Sequence, residues 1–264
     1  MTLNILWALI GWLVGYVVNQ LADFFAELVA VQDAFTESAA TADEAGEPTA
    51  DFEQPDEASV KLSFGRPGMV RFLQGERARK RPFFLELICI AFYAFLPSLI
   101  PNTTNLIVNS LYIAILILIM VVDLENKAVF GIVIYPAVLV ALLGSFIVTP
   151  EENTIGLAVV GAIVGFVIFW GIYKFAQLLY GADSGALGFG DVQIALLMGA
   201  MLGLHRVIFA LILAMFLGGI ISAIVLLVNR NVGRQTALPY GQYLTLAAII
   251  MLIWGAAYYQ FYWS

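Results

Sequence analysis

The fold is decided by Leu187-Gly188-Phe189-Gly190-Asp191, which places a carboxylate directly before an apolar run, residues 192–204. Most of the remaining chain is also apolar, so Asp191 lies at the mouth of a predicted membrane helix. An ionisable side chain there is costly and marks a functional site by default. Glycines let another backbone approach closely and adopt dihedrals that other residues avoid. We therefore predict that Gly188 and Gly190 bind a peptide substrate beside Asp191.

A second carboxylate, Asp123, ends another apolar run, residues 106–122. Two neighbouring carboxylates do not both ionise easily, so they can share one proton. The ionised one can take a proton from water while the protonated one polarises a peptide carbonyl. Helix dipoles favour Asp191, at a helix start, as the base and Asp123, at a helix end, as the acid. Taken alone, Asp191 is equally well explained as a helix N-cap, and Asp123 is better explained as a solvated interfacial residue.

The composition indicates an integral membrane protein. The 264 residues are 62% hydrophobic and 12% charged, whereas soluble chains are about 45–50% apolar and about 25% charged. A transmembrane β-barrel would need alternating segments of about ten residues. The apolar runs here are continuous, so the sequence predicts an all-α membrane protein.

Eight apolar runs predict eight transmembrane helices, each needing about 20 residues to span a bilayer. They cover residues 3–22, 82–100, 106–123, 128–148, 154–179, 191–204, 207–228 and 238–258. The sixth covers only ~20 Å at 1.5 Å per residue, so a re-entrant segment is the alternative there. The predicted domains are a first helix in residues 1–30, a cytoplasmic domain in 31–82 and a membrane core in 83–264.

The predicted cytoplasmic domain has two parts of opposite charge. Residues 33–57 contain nine acidic and no basic residues, and their composition predicts a disordered linker. Residues 60–82 are basic, and short apolar stretches between glycines in 60–72 predict a small β-rich unit. A basic stretch beside a membrane helix marks cytoplasmic retention and contact with anionic lipid. The predicted partner is therefore membrane lipid and not nucleic acid.

The basic residues also orient the chain. With residues 31–82 in the cytoplasm, eleven of the twelve Lys and Arg residues lie on the inner side and only Arg206 lies outside. The third helix then runs inward and the sixth runs outward, so Asp123 and Asp191 share the cytoplasmic boundary. We predict a multi-pass protein of the bacterial inner membrane whose active site faces the cytoplasm.

Five motifs in chain order resemble those of the bacterial type IV prepilin peptidases, the GxGD membrane aspartic proteases. They are Gly15-x-x-x-Asn19, Arg81 to Leu87, Asp123 to Lys127 with Pro136, Ala186 to Val192 with residues 198–203, and Leu238 to Leu244. The resemblance implies an aspartic endopeptidase that cuts the basic leader from prepilins or pseudopilins at the cytoplasmic membrane face. It implies that Asp123 and Asp191 are catalytic. The acidic residues 33–57 are better explained as a plain linker, and attraction of the basic leader is the alternative.

The chain departs from this family in its cysteines. The family's two CxxC pairs are absent, because Cys89 is the one cysteine, and residues 31–82 contain neither Cys nor His. Zinc in such a site relies on thiolates or imidazoles, so we predict no metal site, no zinc and a core role for Cys89. His205 is the one histidine, and without a second His or a Cys pair in the sequence no metal role is expected for it. S-adenosylmethionine is expected only if the family's N-methylation is kept, and the missing zinc site counts against that.

Two other functions fit the same pair of aspartates. A presenilin-like intramembrane protease would cut within the substrate helix. An ion-coupled transporter would use Asp123 and Asp191 as ligands for a cation or a proton. A shortened prepilin peptide supports the peptidase, whereas flux into proteoliposomes without cleavage supports the transporter. The sequence specifies neither the particular prepilin nor the oligomeric state.

We predict that the purified protein holds no stoichiometric zinc and that chelators leave its cleavage of a prepilin peptide unchanged. The physical reason is that the thiolate ligands of the family's zinc site are missing. Elemental analysis beside a cleavage assay with and without chelator tests both statements. Stoichiometric zinc, or cleavage that a chelator inhibits, would contradict the prediction.

Overall fold

The computed structural model describes residues 2–45, 67, 80–126, 131–149, 153–181, 188–228 and 240–263. Over these residues the chain forms seven helices and no strand, which confirms the all-α prediction. The helices are α1 Thr2–Ala45, α2 Lys80–Leu99, α3 Thr103–Asn126, α4 Gly131–Gly144, α5 Ile155–Tyr180, α6 Phe189–Val228 and α7 Gly241–Trp263.

Five of the described helices have the length and apolar composition to cross a bilayer. These segments are Thr2–Val31, Arg81–Leu99, Thr103–Asn126, Ile155–Leu179 and Phe189–Ile224. Helix α4 and the apolar part of α7 are shorter, and α4 has 14 residues where the sequence predicted a full crossing. A multi-pass membrane protein follows from these lengths, and the count of eight crossings stays a prediction.

Helix α6 is broken between the sixth and seventh transmembrane helices that the sequence predicts. Gly203 has φ 73° and ψ 173°, which is not helical. A Cβ added to Gly165 of α5 would meet both Ala195 and Val207. A straight helix would hold those two residues ~18 Å apart along its axis. The chain therefore folds back at Gly203, and residues on both sides of the break pack against α5.

The contact between α5 and α6 is a close approach of two backbones. A Cβ added to Gly199 would overlap the backbone of Gly161, and a Cβ added to Gly161 would lie 2.6 Å from the carbonyl oxygen of Gly199. Small residues at such a contact are typical of membrane helix pairs. This packing holds the first half of α6, which begins beside Asp191, firmly on α5.

Asn153 closes the end of that first half. Its Nδ2 donates hydrogen bonds to the carbonyl oxygens of Ala200 and Met201, each at 3.2 Å. Carbonyl groups at a helix end have no partner within the helix and need one from elsewhere. A buried amide from the residues before α5 thus caps α6 just before the break at Gly203.

The chain divides into two compact units, residues 1–94 and 95–264. In the first unit, Asn19 of α1 donates a hydrogen bond to the carbonyl oxygen of Pro82 at 3.1 Å. Arg81 forms an ion pair with Asp23 at 2.6 Å. These contacts join α1 to the beginning of α2. Both aspartates of the predicted active site lie in the second unit.

Two glycines bring α1 and α2 together within the first unit. A Cβ at Gly11 would overlap the carbonyl oxygen of Cys89, and one at Gly15 would lie 2.8 Å from the Cα of Glu86. Gly11 and Gly15, four residues apart, thus form the small-xxx-small contact that is typical of closely packed membrane helices. Cys89 is a buried free cysteine, as the core role predicts.

The predicted disorder of the acidic segment is wrong for residues 33–45, where α1 continues to Ala45. This stretch is rich in alanine, which has the highest helix propensity, and also contains glutamate, another good helix former. Acidic composition alone does not end such a helix. Residues 46–57, and the β-rich unit predicted within 60–72 apart from Pro67, lie outside the described residues. So do Lys127, residues 182–187 and residues 229–239.

Replacing Gly203 with alanine should destabilise the protein by about 1–3 kcal/mol, because its backbone lies in a region that is open almost only to glycine. The added Cβ would also lie 2.5 Å from Oδ1 of Asn153. Thermal unfolding in detergent measures the effect. Gly219→Ala in the same helix adds its Cβ into open space and is the matched control. An unchanged unfolding midpoint for Gly203→Ala would contradict the break.

Candidate active site

Asp123 lies in the last turn of α3 with 5% of its surface exposed. Its carboxyl group accepts a hydrogen bond from the backbone N–H of Gln242, in the first turn of α7. Its Oδ2 atom is buried and has no hydrogen-bond partner among the described residues. Asp123 therefore ends one helix while facing the N-terminus of another, where the helix dipole favours negative charge.

Asp191 is the third residue of α6 and is 8% exposed. Its backbone N–H donates to the carbonyl oxygen of Gly188 at 3.2 Å. In return, its carboxyl group accepts a hydrogen bond from the backbone N–H of Gly188. The carboxyl group thus supplies one half of a capping box, in which the third helical residue accepts the N–H of the residue before the helix. The simpler interpretation of Asp191 as the N-cap residue is therefore wrong, because Asp191 is the third residue of α6, although its carboxyl group does accept a backbone N–H at the helix start.

The structure brings the two carboxyl groups together. The charge of Asp123 acts directly on the carboxyl group of Asp191. Gly241 lies at the same place, because a Cβ added there would be 2.7 Å from Oδ2 of Asp123 and 2.8 Å from Cδ1 of Ile194. Ile194 is one helical turn beyond Asp191. The end of α3 and the starts of α6 and α7 therefore converge on one buried acidic pair.

The two glycines before Asp191 differ in their placement. Gly188 is exposed and immediately precedes α6, whereas Gly190 is half-buried in its first turn. Positive φ angles occur among the described glycines only at Gly181 and Gly203. The idea that Gly190 adopts an unusual dihedral is therefore wrong, since it continues a helix. A Cβ at Gly188 would lie 3.7 Å from Oδ2 of Asp191, so a side chain there would stand beside that carboxylate.

Comparison with known proteins addresses the segment that carries both aspartates. A sequence model described as the type IV leader peptidase family matches residues 110–223. This segment belongs to the type IV leader peptidase family. The resemblance predicted from the GxGD motif is thereby confirmed.

Relatives of this leader peptidase segment are known from several bacteria. A protein of Aeromonas hydrophila is 32% identical over 121 residues, which are 46% of this chain and 39% of the relative. One of Pseudomonas putida is 35% identical over 102 residues, 39% of this chain and 34% of the relative. Both are named prepilin leader peptidase/N-methyltransferase. The chain thus spans less than half of these relatives, and no solved structure matches it.

Tyr240 is a site residue that sequence reasoning missed. It lies immediately before α7, outside the leader peptidase segment, and the charge of Asp191 acts on its hydroxyl group. Its ring packs against those of Phe169 and Tyr243, each with a centroid distance of 6.1 Å. A Cβ at Gly218 would lie 2.8 Å from the same ring. A signal was present in the sequence, because Tyr240 lies within Leu238 to Leu244, the last of the five motifs that carry the resemblance.

The donor set of this chain does not fit the zinc site that the resemblance implies. Its one cysteine, Cys89, is buried against α1, and its one histidine, His205, follows the break in α6. No group of three or more His, Cys, Asp or Glu residues is placed to hold a metal within the described ranges. The two carboxyl groups are the acid–base groups that this site offers.

Proposed function

We propose that this chain is a membrane-embedded aspartic endopeptidase that cleaves the leader peptide of prepilin-like substrates. The observation that carries the proposal is the meeting of Asp123 and Asp191, both buried, within a segment of the leader peptidase family. The names of its relatives supply the substrate class. The proposed cut lies at the cytoplasmic face of the inner membrane, where the positive-inside rule puts both aspartates.

The proposed reaction needs one charged and one protonated carboxyl group. Burial and mutual repulsion favour one shared proton for a close pair. The ionised aspartate takes a proton from a water molecule. At the same time, the oxygen of that water molecule attacks the carbonyl carbon of the scissile peptide bond. The protonated aspartate donates its proton to the carbonyl oxygen. Collapse of the tetrahedral intermediate breaks the C–N bond, and a proton passes to the leaving nitrogen.

The dipoles of the helices that meet at the pair influence which aspartate acts as the base. Asp191 lies at the N-terminus of α6, as the sequence predicted. Asp123 lies at the C-terminus of α3 but also accepts a hydrogen bond at the N-terminus of α7. The dipole argument for a neutral Asp123 is therefore offset by a second helix. We assign the first deprotonation of water to neither residue alone, since coupled groups titrate as a pair and exchange roles during a cycle.

Each of Asp123→Asn and Asp191→Asn should abolish cleavage of a prepilin peptide by protein purified in detergent. The double variant should be no worse than either single variant, because all three remove one shared unit. Glu125→Gln is the matched control, since it changes an exposed carboxylate in the same last turn of α3. Near-full cleavage by either single variant, with the control active, would refute the acidic pair. Flux without cleavage would instead favour a transporter.

The orientation of α3 gives a second test of the proposal. In a Cys89→Ala background, Glu125→Cys should react with a membrane-impermeant maleimide only in inverted vesicles. Thr104→Cys, exposed at the opposite end of α3, should react only in right-side-out vesicles. The physical reason is that basic residues hold the inner ends of the helices in the cytoplasm. The reverse labelling pattern would place the acidic pair on the outer side and exclude a cytoplasmic cut.

A further inference from the structure

The beginning of α7 contacts the acidic pair, although residues 240–242 lie outside the segment that the leader peptidase family matches. The carboxyl group of Asp123 accepts a hydrogen bond from the backbone of Gln242. Its Oδ2 atom lies next to the position that a side chain at Gly241 would occupy. The main chain of α7, and not a side chain, thus makes these contacts with Asp123.

We propose that the backbone of Gly241 and Gln242 positions the carboxyl group of Asp123, and that Gly241 must be glycine because any side chain there would displace that group. The inference rests on the proposed peptidase function and adds a positioning residue to it. Gly241 touches Asp123 but takes no part in proton transfer.

An added methyl group at Gly241 would move side chains rather than the helix. Its nearest atoms would be Oδ2 of Asp123 at 2.7 Å and Cδ1 of Ile194 at 2.8 Å, closer than real Cβ atoms come. The main chain of α7 is fixed here, since the buried hydroxyl of Thr245 donates to the carbonyl oxygen of Gly241 at 3.1 Å. Ile194 is fully buried and has little room to yield. The carboxyl group must therefore turn away from Gln242.

The glycine also leaves one carboxylate oxygen open. Oδ2 of Asp123 is buried without a hydrogen-bond partner in the described part of the chain. Leaving a buried charged acceptor unpaired costs free energy, so it calls for a functional explanation. In the proposed reaction, a water molecule would donate to this oxygen when the carboxyl group is charged, and the scissile carbonyl group would accept from it when the carboxyl group is protonated. Because Gly241 lacks a side chain, no side chain at position 241 occupies the space next to this atom.

Gly241→Ala should lower kcat for a prepilin peptide by roughly 10- to 100-fold, since small misplacements of a catalytic group have effects of this size. KM should change little, because Asp123 acts on bound substrate and does not hold it. Gly171→Ala is the matched control, as its Cβ enters open space on α5. It should keep the kcat of the unmodified protein. Thermal unfolding of each variant reports whether the fold is retained.

A second substitution separates positioning from plain structural damage. Adding Ile194→Val to Gly241→Ala removes Cδ1, one of the two atoms that the new methyl group meets. The methyl group can then shift toward residue 194 and release the carboxyl group, so part of the lost kcat should return. Structural damage alone predicts no recovery, because the extra truncation deletes packing from the core.

A third variant covers the case in which Gly241→Ala does not fold. Gln242→Pro deletes the backbone N–H that bonds to Asp123, at a first-turn position where proline is tolerated, and it should lower kcat in the same way. If the unmodified protein cuts the peptide and a folded Gly241→Ala or Gln242→Pro variant matches its kcat, the positioning inference is overturned and the peptidase proposal stands. If the unmodified protein does not cut, both are overturned.

Discussion

The rest of this structure depends on burying two carboxyl groups, at 5% and 8% exposure, inside an apolar helical unit. Removing a charged group from water is expensive unless hydrogen bonds replace its solvation. Here backbone amides at two helix starts supply them, one from Gly188 to Asp191 and one from Gln242 to Asp123. Hydrogen bonds to charged groups are worth about 1.5–3 kcal/mol each. Three helices must therefore begin or end at one place, which constrains where the chain can turn.

The break at Gly203 is the turn that meets this constraint. Because the chain folds back there, residues on both sides of the break reach Tyr240, just before α7. The charge of Asp191 acts on the hydroxyl group of Tyr240. Gly218 lies against the ring of the same residue. Asn153 holds the other end by capping the carbonyl groups before the break. A single uninterrupted helix would carry the later half of α6 away from the acidic pair.

The sequence was informative where a feature depends on neighbours in the chain. It predicted the all-α class, the separation of α6 into two parts near residue 205, and the two aspartates that the structure brings together. It failed at residues 33–45, because acid-rich composition was given more weight than the helix propensity of alanine. It also did not show why Gly241 is glycine. That reason is a contact with Asp123 from a distant part of the chain, and such a contact leaves no local periodicity.

The groups that contact Asp123 and Asp191 differ from those that contact an aspartate in a structural ion pair. In the first unit, Asp23 pairs with Arg81 at 2.6 Å, and the adjacent cation holds the carboxylate in its charged form. Neither Asp123 nor Asp191 has such an ion pair within the described residues. Each instead accepts a hydrogen bond from a neutral amide, and the charge of Asp123 acts on Asp191. A nearby cation would favour two carboxylates and leave no acid, whereas amides allow one group to keep its proton. Among the described residues, the pair is therefore bound by groups that allow acid–base chemistry, because none of them is a cation that would hold both carboxyl groups in the charged form.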